Sequence, residues 1–302
     1  MLPNFLIVGA AKSGTTSMYH YLSQHPDIFM PKWKELSFLI GDPFGPLHQV
    51  KKPQYYHKVF SKVQNQSAVG EASTSYLYDQ AAPQRIKEIL GKIKILVILR
   101  NPVDMSYSLY NHQVRRAGET LKTFETALEA ETKRLKDPNF KKNCYGWHAN
   151  YYYFQRGLYF EQVKRYLDTF GKDNVLVFLF EELVADAVRA AQKTYRFLGV
   201  DDAFVPAVRV HNPAGSILSI PRFWEDTGLF LKTASFLFSK NLINKIPHLL
   251  RNIGRKLPPP INPVTSQRLA ARFHDDICRV EQLIEKDLSH WKINPAHDMA
   301  SP

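Results

Sequence analysis

The most constraining feature of the chain is a glycine-containing loop near the N-terminus, between an apolar run and a helical pattern. Residues 5–9 (FLIVG) predict a short, fully buried β-strand, and Met18, Tyr21 and Leu22 recur at helical spacing in the helix that follows. The loop between them reads GAAKSGTTS over residues 9–17. A helix that starts directly after such a loop directs free backbone N–H groups and the positive end of its dipole at one point. This arrangement favours a bound phosphate.

The side chains of this loop add charge and hydrogen-bond donors. Lys12 carries a full positive charge, and the residues from Thr15 to Ser17 contribute three hydroxyl groups. In the nucleoside triphosphate loop G-x-x-x-x-G-K-[ST], the lysine follows the second glycine, whereas here Lys12 precedes Gly14. An ordinary strand–helix turn with an exposed lysine is the structural alternative, but the density of donors favours a phosphate site.

A second apolar run, residues 93–99, predicts another buried strand, and Arg100 follows it directly. Nucleoside triphosphatases carry an acidic residue there to hold Mg²⁺, and this strand lacks one. An arginine at a strand end suits an anion that is bound directly, without a metal ion in between.

Together the two segments resemble those of sulfotransferases that use 3′-phosphoadenosine 5′-phosphosulfate (PAPS). Residues 12–16 (KSGTT) are similar to the family's 5′-phosphosulfate loop, and residues 100–108 (RNPVDMSYS) to its 3′-phosphate motif. The resemblance implies PAPS as co-substrate and no metal. Later segments, residues 156–159 and 212–215, resemble nucleotide-contacting parts of the family. The nucleotide-binding residues implied in this way are Lys12, Ser13, Gly14, Thr15, Thr16, Ser17, Arg100, Ser108, Arg156, Tyr159, Asn212 and Gly215.

Within that family, the chain resembles the heparan-sulfate-type branch and its bacterial relatives. Residues 31–38 (PKWKELSF) are similar to the segment that carries the catalytic glutamate, and residues 108–112 (SLYNH) to a run in N-sulfotransferase domains. The resemblance implies that Glu35 is the general base and that Lys12 stabilises the leaving phosphate. His112 is the rival base, or a donor to the transferring sulfuryl group.

Two carboxylates have alternative interpretations at this stage. Glu35 could be a surface carboxylate that pairs with Lys32 or Lys34. Glu71 lies in residues 70–76 (GEASTSY), which resemble the next segment of the same branch. It could position His112 or the acceptor, or cap a turn.

Apolar strands that alternate with helical patterns along the chain predict its architecture. Residues 174–180 predict a third buried strand, and Asp186 is placed to cap the helix that ends at Gly199. We expect an α/β fold, with a P-loop-like parallel sheet covered by helices on both faces. A clean amphipathic pattern from Leu269 to Leu288 predicts a helical C-terminal part. Residues 1–302 are interpreted as a single domain, and residues 151–154 (YYYF) as core rather than as a stacking surface for adenine.

Charge and composition limit the partners. Of the 302 residues, 40 are Lys or Arg and 28 are Asp or Glu, a formal net charge of +12 that points to anionic partners. Residues 227–260 contain six Lys or Arg and no acidic residue. We interpret them as a basic helical segment that faces the acceptor or a surface, with peripheral membrane contact as an alternative.

The chain contains only two cysteines, which argues against a disulfide scaffold or a cysteine zinc site. No signal or membrane-spanning segment is visible, which predicts either a bacterial cytoplasmic protein or a trimmed catalytic domain.

The predicted function is transfer of a sulfuryl group from PAPS to a hydroxyl, or less commonly an amine, of an acceptor. A carbohydrate, a glycolipid and a small metabolite all remain open as that acceptor. A Mg²⁺–ATP-dependent phosphotransferase and a non-catalytic binder of anionic polymers are the alternatives. Nucleic acid is not an expected partner, because no recognised nucleic-acid module is present. The sequence makes no prediction of the oligomeric state.

Overall fold

The computed structural model describes residues 1–41, 53–208 and 258–292. In this part of the chain, five parallel strands form one sheet in the order β2-β3-β1-β4-β5. Phe5 at the start of β1 pairs with Gly70 of β3 on one side and with Lys94 of β4 on the other. The strands are β1 (Phe5–Gly9), β2 (Ile28–Phe29), β3 (Ala68–Ala72), β4 (Lys94–Leu99) and β5 (Val175–Leu179). The predicted parallel sheet is confirmed.

The central strand β1 is apolar and fully buried because both faces of the sheet are covered. In β1, Leu6 and Val8 belong to one hydrophobic cluster, and Phe5 and Ile7 belong to a second one. Successive side chains of a strand point to opposite faces, so the two clusters are the two layers that flank the sheet.

Helices connect and flank the strands. The predicted helices are present close to their expected bounds, although Leu121 precedes its helix because Thr123 caps the N-terminus through the Thr126 N–H. The helices are α1 (Thr15–Leu22), α2 (Pro53–Val59), α3 (Ala82–Leu90), α4 (Pro102–Arg115), α5 (Phe124–Lys136), α6 (Pro138–Asn143), α7 (Tyr159–Phe170), α8 (Phe180–Ala185), α9 (Ala187–Leu198), α10 (Pro263–Ile284) and α11 (Ser289–Lys292). None of these described helices is long and apolar enough to cross a membrane.

The helical C-terminal part packs on the sheet domain through α10. Phe273 of α10 stacks on Phe154 with ring centroids 4.7 Å apart, and the Asp276 carboxylate accepts a 2.7 Å hydrogen bond from the Tyr159 N–H. The helix ends at Ile284, earlier than the apolar pattern predicts, although the buried Leu288 continues the same packing beyond it.

Two other predictions concern this half of the chain. Residues 151–153 are buried and Phe154 packs against the core, which confirms the core interpretation of this aromatic run. Of the basic segment 227–260, residues 227–257 lie outside the described residues.

Candidate functional site

The glycine-containing loop links the carboxyl end of β1 to the N-terminus of α1, as predicted. Gly14 caps α1 with a φ of 83°, in the left-handed region that glycine adopts without strain. A Cβ atom at this position would lie 2.8 Å from Leu183 Cδ2, so glycine is also the residue that fits. Lys12 adopts a φ of 62° in the same turn, and the Ser13 hydroxyl donates to the Ala11 carbonyl at 3.3 Å. The loop is therefore a tight turn at the N-terminus of α1.

Arg100 lies at the carboxyl end of β4, the strand next to β1. Its Nη1 donates to the Lys12 carbonyl at 3.3 Å, and its guanidinium lies 4.8 Å from the centroid of the Phe180 ring. Asp104, one turn into α4, approaches Nη2 at 3.7 Å. The buried Nε has no hydrogen-bond partner among the described residues. Arg100 thus joins the two strand ends and keeps an unused donor beside the loop.

Glu35 reaches the same place from the loop after β2. Its N–H donates to the Ala72 carbonyl at 2.8 Å, and its carboxylate accepts a 2.9 Å hydrogen bond from the Thr74 N–H. Its φ is 61°, a left-handed conformation that is uncommon for a residue with a side chain. The preceding residue, Lys34, lies between this carboxylate and α1. Lys34 Nζ is 3.9 Å from Glu35 Oε1 and 3.0 Å from Thr16 Oγ1.

Burial and nearby positive charges lower the pKa values of the lysine side chains in the site. Burial, followed by the charges of Arg115, Arg100 and Lys34, lowers the pKa of Lys12 to about 8, and the charge of Glu35 opposes this shift. Burial also lowers the pKa of Lys34, again against the effect of Glu35. The site therefore holds more positive charge than its own carboxylates compensate, which suits a ligand with several negative charges.

His112 lies on α4, one turn after Ser108, and both side chains are half-buried. Burial, together with the nearby charges of Lys12, Arg116 and Arg115, lowers the pKa of His112 to about 3. The imidazole is consequently neutral at physiological pH. A neutral imidazole can accept a proton or donate one N–H hydrogen bond, but it does not act as a cationic acid.

Arg156 and Tyr159 lie beneath the loop that holds Glu35. The Arg156 guanidinium is buried and donates to Asn150 Oδ1 and to the Thr74 carbonyl, both at 3.0 Å. Burial lowers the pKa of Arg156 to about 10. Burial raises the pKa of Tyr159, and the charge of Arg100 opposes this second shift. Both residues therefore remain in their ordinary protonation states at neutral pH, next to the site.

The structure brings most of the predicted residues together at the carboxyl ends of β1 and β4. Asn212 and Gly215 lie outside the described residues. Glu71 lies in the core, where its fully buried carboxylate accepts hydrogen bonds from Tyr56, Ser73 and Tyr76. Ser73 and Tyr76 flank the turn after β3, so these contacts agree with the turn alternative and not with direct contact to His112.

Thr74 and Arg115 were missed by the sequence analysis, and Lys34 was considered there only as an ion-pair partner of Glu35, from which it lies 3.9 Å away. Thr74 orients Glu35, Lys34 contacts the hydroxyls at the start of α1, and Arg115 follows His112 by three residues on α4. Helical spacing could have revealed Arg115, since residues three and four apart share a helix face. The contacts of Lys34 and Thr74 join distant segments, and sequence spacing carries no signal for them.

Comparisons with known proteins identify similar chains. A family model described as a sulfotransferase domain matches residues 2–209. The crystal structure of a sulfotransferase from Alicyclobacillus acidocaldarius is similar over 97% of this chain and 100% of its own, with 34% identity and a TM-score of 0.72.

Curated relatives are more distant. Two of them are bifunctional heparan sulfate N-deacetylase/N-sulfotransferases. Number 4 of Mus musculus is 28% identical to this chain over 211 residues, and number 1 of Homo sapiens is 28% identical over 212 residues. These stretches cover 66% of this chain and 22% of each relative. The chain thus spans about a fifth of the length of the curated relatives that it matches.

Proposed function

Because the chain belongs to the sulfotransferase family, we propose that it transfers the sulfuryl group of PAPS to a hydroxyl group of a carbohydrate acceptor. The observation that carries this proposal is the excess of partly buried positive charge around one loop. The side chains of Lys34 and Arg100 are only 14% and 24% exposed, and both lie beside Lys12. Partly buried cations at close quarters repel each other, so a ligand with several negative charges stabilises this arrangement.

The donor side of the proposal uses the two strand ends. Arg100 and Ser108 hold the 3′-phosphate, and the backbone N–H groups and hydroxyls at the start of α1 hold the 5′ end. The unpartnered Nε of Arg100 fits this role, since it is a buried donor without an acceptor among the described residues. Arg156 and Tyr159 support the same pocket from below. PAPS, when bound, supplies the activated sulfuryl group.

The acceptor side of the proposal uses Glu35 as general base. The acceptor hydroxyl oxygen forms a bond to sulfur while the bond from sulfur to the 5′-phosphate oxygen breaks, and Glu35 takes the hydroxyl proton. Lys12 stabilises the negative charge that develops on the leaving phosphate oxygen. His112, a neutral imidazole, donates an N–H hydrogen bond to the sulfuryl group or serves as the rival base.

Trp33 supports a carbohydrate as the acceptor. This indole is 64% exposed two residues before Glu35, although most large aromatic side chains among the described residues are buried or half-buried. Its loop is anchored on both sides, because the Tyr19 hydroxyl donates to the Pro31 carbonyl and Glu35 is held by Ala72. A fixed aromatic face suits the apolar face of a sugar ring. The names of the heparan sulfate relatives point to the same class, with an amine as the alternative acceptor.

An acceptor screen with radiolabelled PAPS tests this proposal. The panel contains neutral oligosaccharides and uronic-acid oligosaccharides, each with acetylated or free amino groups, in buffer with EDTA. We expect label on a hydroxyl-bearing saccharide, and about 10² to 10⁴-fold slower transfer in Glu35→Gln. The matched control is Glu88→Gln on the exposed face of α3, which should transfer like the wild type. Phosphorylation from Mg²⁺–ATP without any sulfuryl transfer would contradict the proposal.

A further inference from the structure

Lys34 has a set of contacts that the predicted motifs do not explain. Its ammonium group lies 3.0 Å from Thr16 Oγ1, 3.3 Å from Thr15 Oγ1 and 3.9 Å from Glu35 Oε1. It therefore connects the first residues of α1, which form the phosphate end of the site, with the candidate general base. Thr16 and Thr15 precede Lys34 by 18 and 19 residues in sequence, so these side-chain contacts join two distant segments.

We propose that Lys34 is a positioning residue that turns the hydroxyl groups of Thr15 and Thr16 into hydrogen-bond donors for the 5′ end of the donor nucleotide. This inference rests on the proposed function, because it takes PAPS as the donor. It adds a residue to the site whose role is indirect: Lys34 acts through the two threonines.

The hydrogen-bond capacities of the ammonium and hydroxyl groups leave the two threonine protons free for a ligand. An ammonium group has three N–H donors and no acceptor, whereas a threonine hydroxyl has one O–H donor and two lone pairs. Each hydroxyl that accepts from Lys34 uses a lone pair and keeps its own proton. Within the described ranges, neither Thr15 nor Thr16 donates that proton to another group. Two O–H donors are thus left beside the N-terminus of α1, where free backbone N–H groups already favour an anion.

The ammonium group of Lys34 is largely buried, so its hydrogen-bond acceptors must come from the protein and not from solvent. Its side chain is 14% exposed, and a buried ammonium needs hydrogen-bond acceptors. The Glu35 carboxylate, at 3.9 Å, is beyond the usual hydrogen-bond distance and offers only charge compensation. The two threonine oxygens are therefore the acceptors that hold the ammonium in place.

If Lys34 had a purely structural role, its replacement would weaken the binding of both ligands equally. The backbone of its loop already has anchors that do not involve Lys34: the Glu35 N–H donates to the Ala72 carbonyl at 2.8 Å, and the Ser37 N–H donates to Ser73 Oγ at 2.9 Å. We therefore expect a Lys34→Met variant to fold, and its defect to be confined to ligands that reach α1.

Calorimetric titration with two ligands tests the inference. Adenosine 3′,5′-bisphosphate (PAP) carries the 5′-phosphate, and adenosine 3′-monophosphate lacks it. Lys34→Met should weaken PAP binding at least about tenfold and change binding of the monophosphate by less than about twofold. Lys32→Met, which removes the same charge from an exposed position two residues away, is the matched control and should bind both ligands almost like the wild type.

A double-mutant cycle tests whether Lys34 acts through the hydroxyl. Thr16→Val removes the hydroxyl and keeps the shape of the side chain, and it should weaken PAP binding by itself. The double variant with Lys34→Met should lose less affinity than the two single losses combined, because coupled residues are not additive. If Lys34→Met does not fold, the Thr16→Val variant still tests the inference, because an unchanged PAP affinity in that variant contradicts it.

The outcomes separate the inference from the function on which it rests. If the wild type binds PAP, and Lys34→Met binds it equally well, the inference is wrong and the proposed function stands. Equal weakening of both ligands by Lys34→Met would reduce Lys34 to a structural residue and also overturn the inference. If the wild type does not bind PAP at all, the proposed function fails together with the inference.

Discussion

At the scale of single residues, the two side chains proposed for the chemistry share a backbone feature. Lys12 and Glu35 have φ values of 62° and 61°, in the left-handed region that costs free energy for residues other than glycine. Each is held there by a neighbouring segment: Arg100 donates to the Lys12 carbonyl, and the Ala72 carbonyl accepts from Glu35. Strained backbone of this kind is concentrated at functional sites.

The lowered pKa of Lys12 predicts how ligand affinity depends on pH. In the free protein, burial and nearby cations lower this pKa to about 8, so Lys12 loses its proton as the pH rises through 8. A bound anion favours the protonated lysine, and binding above pH 8 must therefore take up a proton. We expect PAP affinity to fall between pH 7 and pH 9.5 in calorimetric titrations. Lys12→Met should bind more weakly at pH 7 and show a flatter profile, whereas an equally steep profile in that variant would contradict this assignment.

Arg115 provides a second prediction at this scale. After burial, its charge is the largest cause that lowers the pKa of Lys12. Removing it in Arg115→Ala should raise the pKa of Lys12 and move the loss of PAP affinity to higher pH. Arg116→Ala is the control, because Arg116 is exposed and acts on His112 rather than on Lys12. An identical profile in the wild type and Arg115→Ala would show that the two groups are not coupled.

At the scale of elements, β3 and the turn after it position Glu35, the proposed general base. Thr74, which orients Glu35, lies in a turn whose flanking residues Ser73 and Tyr76 donate to the buried Glu71 at 2.6 and 2.8 Å. Burial raises the pKa of Glu71, and the hydrogen bonds that it accepts partly oppose this shift. Glu71 thus acts on the site through the turn, and not through direct contact.

Replacing Glu71 should therefore affect stability first. Glu71→Ala leaves three buried hydroxyl groups without an acceptor, and we expect the free energy of unfolding to fall by about 2 to 5 kcal/mol. Denaturant unfolding measures this, with Glu88→Ala on the surface of α3 expected to stay within about 0.5 kcal/mol of the wild type. A loss below 1 kcal/mol in Glu71→Ala would mean that the turn does not depend on this carboxylate.

At the scale of the whole molecule, the C-terminal helices pack against the segments that flank the sheet. Phe273 of α10 is buried against Phe154, and Trp291 of α11 donates through Nε1 to Glu181 of α8 at 3.1 Å. The Asp276 carboxylate also caps the start of α7. These contacts tie α10 and α11 to segments near the site, and they support our proposal that the chain forms a single domain.

This proposal predicts one cooperative unfolding transition. Calorimetry should show a single peak whose calorimetric and van't Hoff enthalpies agree. Phe273→Ala should lower the free energy of unfolding by about 3 to 5 kcal/mol and shift the whole peak. Two separate peaks, with only one of them moved by Phe273→Ala, would show that the C-terminal part folds independently.

Much of this fold could be predicted from the sequence, because the relevant signals are local. The strands β1, β4 and β5 are uninterrupted apolar runs, and α10 has a strict amphipathic stripe. The short strand β3 was missed because Gly70 and Glu71 interrupt its apolar pattern, although both are buried. The roles of Lys34 and Thr74 depend on contacts between distant segments, which no local pattern encodes.

The central claim is that this site holds a PAPS-type nucleotide without a metal ion. Calorimetric titration of the wild type with PAP in the presence of EDTA tests it most directly, with ATP alone and Mg²⁺–ATP as competing ligands and Arg100→Ala as the variant. We predict one PAP per chain bound in EDTA, with markedly weaker binding in Arg100→Ala because a guanidinium contact to a phosphate is lost. Binding of Mg²⁺–ATP with no binding of PAP would contradict the account.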